Sequence, residues 1–458
     1  MKKIFLTDRA TRFVDMILQN TDWQICVLVV DSVVQKNIYE GHPRVLNIFT
    51  EEEFWRLENV EDIDYDDIKK YKHIQSACDM GARRVQDDFQ FSRYQFYMGI
   101  AVWRRFFSQF DVTLCLVIHI CHGFRCDQIL AEMAKERGIP CYFVGPHSGS
   151  DTRTIYSIQK KDYLQMNEGT GYMDDMTINR IIHYSIPYER PSNVFKRLIY
   201  HIGGISLLKI MGCIYRRSTK LPIHYNTMSI FTLMKRYVET RWIQSRNQKR
   251  YQEINYEKKY IVYFLHLEPE AVLVHYTDGM DSQLIAIQML AASLPKDWEL
   301  YVKEHPDSYK INKDAERWNE VSVYPVYYSD YFFKKISSIP KVKLVDVRIP
   351  AKDLIINSMG VAGFSGTVIL ESVLAERPLL LFSDKRKLVY GREQNIFFVY
   401  SVQECREVLK RIQDGFRPDY TNLRRLLYQY TFDNDEWEKV LCRLVEDLEI
   451  TNDGSNIG

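Results

Sequence analysis

Short apolar runs alternate with segments of helical periodicity, twice over, and few folds accept that pattern. In the first half, KIFLT (3–7), QICVLVV (24–30), VTLCLVIHI (112–120) and CYFVG (141–145) are rich in β-branched residues. Strands buried on both faces require such runs. Between the last two, Ile129, Leu130, Met133 and Ala134 recur at helical spacing, with Gly138 and Pro140 as the stop. Strand, helix and strand in that order predict a parallel pair with a crossover helix.

The second half repeats the pattern more clearly. YIVYFLH (260–266) is a predicted strand, and 281–295 a helix opened by Asp281 as N-cap and closed by Pro295. WELYVKE (298–304), KLVDV (343–347), MGVAGF (359–364) and PLLLF (378–382) follow as strands, with helices at 351–358 and about 366–376. The fold class expected is α/β, with two Rossmann-like, doubly wound domains facing a cleft. At 458 residues the chain is also too long for one ordinary core. The boundaries fall at 1–190 for the first domain, 191–258 for a basic, partly amphipathic helical linker, 259–425 for the second domain, and 426–458 for a C-terminal helix and flexible tail. The acidic stretch 51–66 reads as an exposed helix and loop.

Composition narrows the function. A net charge of +1 argues against nucleic acid as a partner. Nine cysteines without paired spacing read as reduced thiols, which points to a cytoplasmic protein. The N-terminus has only a three-residue apolar run before Asp8, which fits no signal peptide. No stretch reaches the roughly 18–20 apolar residues that span a bilayer. Local charge differs from the total: residues 197–259 carry thirteen Lys/Arg against three acids, Glu239, Glu253 and Glu257. Two readings stand for this segment, a solvated helical linker or a basic amphipathic surface resting on anionic lipid or a polyanion. The second makes the protein peripheral at the inner face of the cell membrane.

Chemistry gathers at the ends of the second-half strands. The first runs into Glu268-Pro269-Glu270, the next into His305-Pro306, and 359–364 into Ser365-Gly366-Thr367 at a helix start. In an open parallel sheet these ends share one edge, where ligands bind. The Ser-Gly-Thr turn has the makings of a phosphate cradle, or of a plain N-cap. Glu371, one turn on, is placed to accept from ribose hydroxyls or to sit on the surface. His305, ahead of a proline, is suited to donate to a phosphate. Metal readings fare worse: His266-Leu267-Glu268 lacks a P-C-x-x-C partner, and His119, Cys121, His122 and Cys126 fit no standard zinc spacing. No metal is expected. No serine-hydrolase elbow, Walker A or dinucleotide fingerprint appears.

Residues 261–306, with Pro269-Glu270, Ser282-Gln283-Leu284 and Lys303-Glu304-His305-Pro306, resemble the bacterial capsular polysaccharide biosynthesis family. That family includes the capsule β-Kdo transferases. GFSGTVILESVLAERPLLLF (363–382) resembles its later S-G-T…E element, so the likeness covers about 120 residues of the second domain. The resemblance implies a GT-B fold with a nucleotide-sugar, CMP-linked and Kdo-like, held mainly by the second domain. It implies His305 on the nucleotide phosphate, Glu270 at the nucleotide end of the donor, and Ser365 and Thr367 on phosphate oxygens. The family's Gln is Glu268 here, a negative charge set near an anionic ligand, which leaves the donor's identity open. No cofactor beyond the donor is implied.

The catalytic base lies outside these motifs, and in a GT-B enzyme it commonly comes from the first domain. Asp8 and Asp31, each following a strand, are candidates, and each also reads as an N-cap. His122 and His147 are lesser, acceptor-side candidates. The expectation is a glycosyltransferase that extends a bacterial capsular or surface polysaccharide, or its lipid-linked acceptor. The alternatives are a CDP-polyol phosphotransferase and a non-catalytic polysaccharide assembly or export factor.

Overall fold

The computed structural model describes residues 2–8, 11–30, 32–50, 53–54, 57, 63–82, 89–118, 125–146, 152–182, 230–266, 282–305, 327–433 and 435–454. Its strands are β1 (Lys3–Asp8), β2 (Gln24–Val30), β3 (Ile48–Thr50), β4 (Leu114–Ile118), β5 (Cys141–Pro146), β6 (Thr152–Ser157), β7 (Asp162–Tyr163), β8 (Tyr260–Phe264), β9 (Glu299–Lys303), β10 (Val342–Val345), β11 (Gly360–Gly363), β12 (Leu379–Leu381), β13 (Ile396–Phe398) and β14 (Phe432–Asp433). They form two sheets, ordered β14-β6-β5-β4-β1-β2-β3, with β7 on β6, and β10-β9-β8-β11-β12-β13.

The second sheet is parallel throughout. The first is parallel from β3 to β5 and then turns antiparallel through β6 to β7 and β14. This is the two-sheet α/β architecture that the alternation predicts. Its runs are apolar because helices cover both faces: every residue of β4 is buried, as are four of the five in β8. The antiparallel margin escaped the sequence reading. β7 and β14 are two residues each, and β6, TRTIYS, opens on three polar residues and has no apolar run.

The chain changes sides twice, at 173–182 and again at its C-terminal helix. Met173, Ile178, Ile181 and Ile182, on and beside the helix Asp175–Ile181, join the second core with Tyr260 and Val262. In return, Trp437, Val440, Leu441, Leu444 and Leu448 of the helix Trp437–Gly454 pack into the first core against Phe13 and Ile17. Tyr163 Oη donates to the Lys387 carbonyl at 2.7 Å, and Arg392 pairs with Asp162 at 2.6 Å, so the halves also touch through polar groups.

Two expectations are corrected. The helix Gln283–Ser293 is capped by Ser282, whose hydroxyl accepts from the Ile285 amide at 3.4 Å, and Asp281 lies outside the described residues. In the acidic 51–66 stretch, Phe54 is fully buried, its ring 5.0 Å from that of Trp103. Packing against an aromatic core overrides the acidic composition around it.

Of the basic segment, the helix Ile230–Arg250 is described, and it is not simply solvated. Thr240, Ile243, Gln244 and Asn247 form a buried face against the second domain. No described helix is long and apolar enough to cross a membrane.

Candidate functional site

The C-terminal ends of β9, β8, β11 and β12 lie side by side on one edge of the second sheet. At about 4.8 Å between neighbours, the step from β9 to β11 is about 10 Å. His305 follows β9, His266 follows β8, Ser365 and Gly366 follow β11, and Ser383 follows β12.

His266 organises the middle of this edge. Its Nε2 lies 3.3 Å from both the Phe364 and the Ser365 amide nitrogens, so it accepts from two backbone N–H groups and carries its lone pair there. Its own amide donates to Gln283 Oε1 at 2.7 Å, and Gln283 in turn donates to Tyr328 Oη at 2.8 Å. Nε2 is thereby spent on holding the turn after β11. Among the described residues no group of three or more metal-ligating side chains comes together.

That turn leads into the helix Thr367–Leu374. Gly366 stands at φ 99 and ψ −172, a conformation open essentially to glycine alone, and no side chain caps the helix. Its first amides therefore point outward with the positive end of the helix dipole. Ser365 is turned inward: only 6% exposed, its hydroxyl lies 3.1 Å from Tyr390 Oη. The anion-binding capacity of the turn thus resides in backbone and in half-buried Thr367, with Ser365 bracing the loop. Ser383 donates to the Phe364 carbonyl and braces it from the other side.

The residues ahead of His305 explain themselves by strand alternation. Lys303 and Glu304 point to opposite faces of the sheet, and each is 2% exposed. Lys303 Nζ donates to the Val347 carbonyl at 3.0 Å. Glu304 Oε1 accepts from Asn247 Nδ2 at 3.1 Å and from Tyr251 Oη at 3.0 Å. The strand end is pinned from both sides, and half-buried His305 is the next residue out.

Glu371 is half-buried. Its Oε2 is enclosed with no hydrogen-bond partner among the described residues. Burial pushes its carboxyl up to about 7, against the pull of the Lys303 ammonium. Burial likewise brings Lys303 down to about 8, opposed by the carboxylates of Glu304, Glu371 and Asp346. Each charge thus acts on the other, the ammonium lowering the carboxyl and the carboxylate raising the ammonium, while burial outweighs both.

In the first sheet, Asp8 ends β1 and is fully buried. Its Oδ1 accepts from the Thr11 amide at 3.0 Å, and its Oδ2 from the Phe13 and Val14 amides at 3.2 Å each. With both oxygens engaged by backbone at the start of the helix Arg12–Asn20, Asp8 has the geometry of a cap and not of a base that meets an acceptor. Asp31, His122, His147, Glu268, Glu270 and Pro306 lie outside the described residues.

The sequence reading overlooked Tyr390 and gave Lys303 and Glu304 no role of their own. The latter two were open to strand parity, since Lys303 shares a face with Tyr301 and the interior. Tyr390 carried no local signal, being 25 residues from the hydroxyl it meets.

No protein-family model and no curated protein sequence matches the chain. Solved structures with which it aligns along nearly its whole length share little sequence. The UDP-GlcNAc 2-epimerase of Methanocaldococcus jannaschii, in complex with UDP-GlcNAc and UDP, is 9% identical, with 97% of this chain and 99% of that one covered at a TM-score of 0.31. The corresponding enzyme of Neisseria meningitidis, bound to UDP-GlcNAc, is 12% identical, with 98% and 100% covered at 0.29. The β-Kdo 2,7-transferase KpsC of Thermosulfurimonas dismutans is 11% identical, with 92% and 99% covered at 0.33. The chain is thus similar in outline to sugar-nucleotide epimerases and to a glycosyltransferase, and likeness this distant assigns none of its residues a role.

Proposed function

We propose that the chain is a glycosyltransferase. It moves a sugar from a nucleotide-activated donor, CMP-linked and Kdo-like by resemblance of the motifs, to a growing bacterial surface polysaccharide or its lipid-linked acceptor. One observation carries the reading: His305, His266 and the helix start at Gly366 follow three neighbouring strands of a parallel sheet, and His266 holds the turn that leads to Gly366. That row suits a phosphate held between a side-chain donor and backbone amides, with the rest of the nucleotide along the edge.

In the proposed reaction the acceptor hydroxyl oxygen attacks the anomeric carbon of the donor. The bond from that carbon to the phosphate oxygen breaks, and the nucleotide leaves with the electron pair. A base takes the hydroxyl proton, while His305 and the helix amides stabilise the charge on the departing phosphate. Glu270 contacts the nucleotide end. Asp31 is the first-domain base in this scheme, with His122 and His147 on the acceptor side, since Asp8 is committed to capping.

Calorimetric titration of CMP, CDP and UDP against the wild type and His305→Ala tests the reading. The expected result is binding of CMP, weakened about tenfold in the variant, which corresponds to about 1.4 kcal/mol. Binding of none of the three removes the transferase assignment and favours an assembly factor. Equal affinity in the variant removes His305 from the phosphate.

A further inference from the structure

The helix Ile230–Arg250 has two unlike faces. The buried one reaches the candidate site, because Asn247 donates to Glu304 next to His305. The opposite face presents Lys235, Val238, Trp242, Arg246 and Lys249, which recur three, four and seven residues apart and are all exposed. Val238 is 60% exposed and Trp242 49%. Large apolar side chains at that exposure, in a row framed by cations, are not what a plain solvated helix carries.

The neighbouring helix Asp330–Ser337 extends the same face. Arg246 lies over the Trp242 ring, 4.8 Å from its centroid, and pairs with Asp330 at 3.1 Å. Arg250 also pairs with Asp330, at 2.6 Å. The next residue, Tyr331, is 72% exposed, and Lys334 and Lys335 follow it on the outer side. One arginine therefore ties the indole to the second helix, and both helices turn aromatic tips and lysines to solvent. Of the acids here, Asp330 is neutralised by two arginines, which leaves Glu239 against four lysines, Lys235, Lys249, Lys334 and Lys335.

We propose that this two-helix face docks on an anionic lipid bilayer, with Val238, Trp242 and Tyr331 inserted at the headgroup level and the lysines meeting lipid phosphates. Amphipathic aromatic rings belong at that depth, and the long lysine stems reach outward from it. Charge complementarity selects a negative leaflet. Because Glu304 is held by the same helix, docking sets the edge that carries His305 beside the membrane. The proposal stands on this face and not on the nucleotide reading.

The test is flotation of the full-length protein with vesicles of phosphatidylglycerol and phosphatidylcholine, and with pure phosphatidylcholine. Wild type is expected to float with the anionic vesicles only, and release by 0.5 M salt is expected from screening. Lys235→Glu/Lys334→Glu/Lys335→Glu should lower the bound fraction at least tenfold, and Val238→Ser/Tyr331→Ser several-fold. Both variants should keep the wild-type melting temperature and CMP affinity, since none of these side chains packs inside. Lys69→Glu/Lys410→Glu, on other surfaces, should float like wild type. Equal flotation with neutral vesicles, or undiminished flotation of the lysine variant, overturns the proposal. So does a wild type that stays in the pellet fraction while self-associating or binding an anionic glycan through these lysines.

Discussion

The two sheets each end a strand in a turn that begins a helix, and the turns treat the helix start in opposite ways. After β1, Asp8 folds back and its two oxygens accept from three backbone amides, Thr11 just before the following helix and Phe13 and Val14 in its first turn. After β11, Gly366 offers no side chain, and the helix begins without a side-chain cap. One helix is supplied with an anion by its own chain, and the other leaves that work to something else. Positive helix ends are equally good anion sites wherever they occur. What distinguishes a ligand-binding edge from a structural one is therefore whether the sequence places a carboxylate or a glycine at the turn.

The largest effect expected on this contrast comes from Asp8→Ala. It orphans three buried amides and should cost about 3 kcal/mol of stability, read as a lowered thermal or denaturant midpoint, with nucleotide affinity unchanged. A variant that keeps its midpoint but loses transfer would return Asp8 to the catalytic candidates and break the comparison.

Next comes Glu371→Gln, which probes the interior beneath the second turn. The folded carboxyl titrates near 7, above the ordinary carboxylate range, so its favourable contribution is complete below about 4.5 and is lost as pH rises through 7. Glutamine mimics the protonated form. The variant should match wild type near pH 4.5 and exceed it by about 2 kcal/mol at pH 8, as measured by urea unfolding at the two pH values. Parallel stability curves would show that Glu371 is solvated after all.

The smallest effect is Gly366→Ala. The added Cβ meets His266 Cε1 at 3.5 Å, an ordinary contact, so the cost comes from backbone strain at φ 99, about 1–2 kcal/mol. Nucleotide affinity should fall with it, since the helix amides shift. If stability drops while affinity holds, the contrast between the two turns concerns folding and not binding.

Much of this was legible beforehand. Five of the six strands of the second sheet fall within about two residues of their expected places, because strands buried on both faces must be continuous apolar runs, whereas the three-residue β13 was not foreseen. The shared edge of His305 and Ser365 follows from parallel connection. The role of His266 did not follow: a histidine at a strand end reads equally as ligand, switch or brace. What makes it a brace is two amides 98 and 99 residues away.

The sequence by itself determined the alternation of elements, and with it the parallel part of each sheet and the edge on which chemistry gathers, since periodicity and strand composition are local properties. Only the tertiary structure decided which polar groups are spent. Asp8 and Ser365 are taken up inside, Glu371 and Lys303 share a buried field, and the helix Ile230–Arg250 hides one polar face while turning Trp242 outward. The reason is physical: hydrogen-bond satisfaction and desolvation depend on partners that are distant in the chain, and no window of sequence contains them.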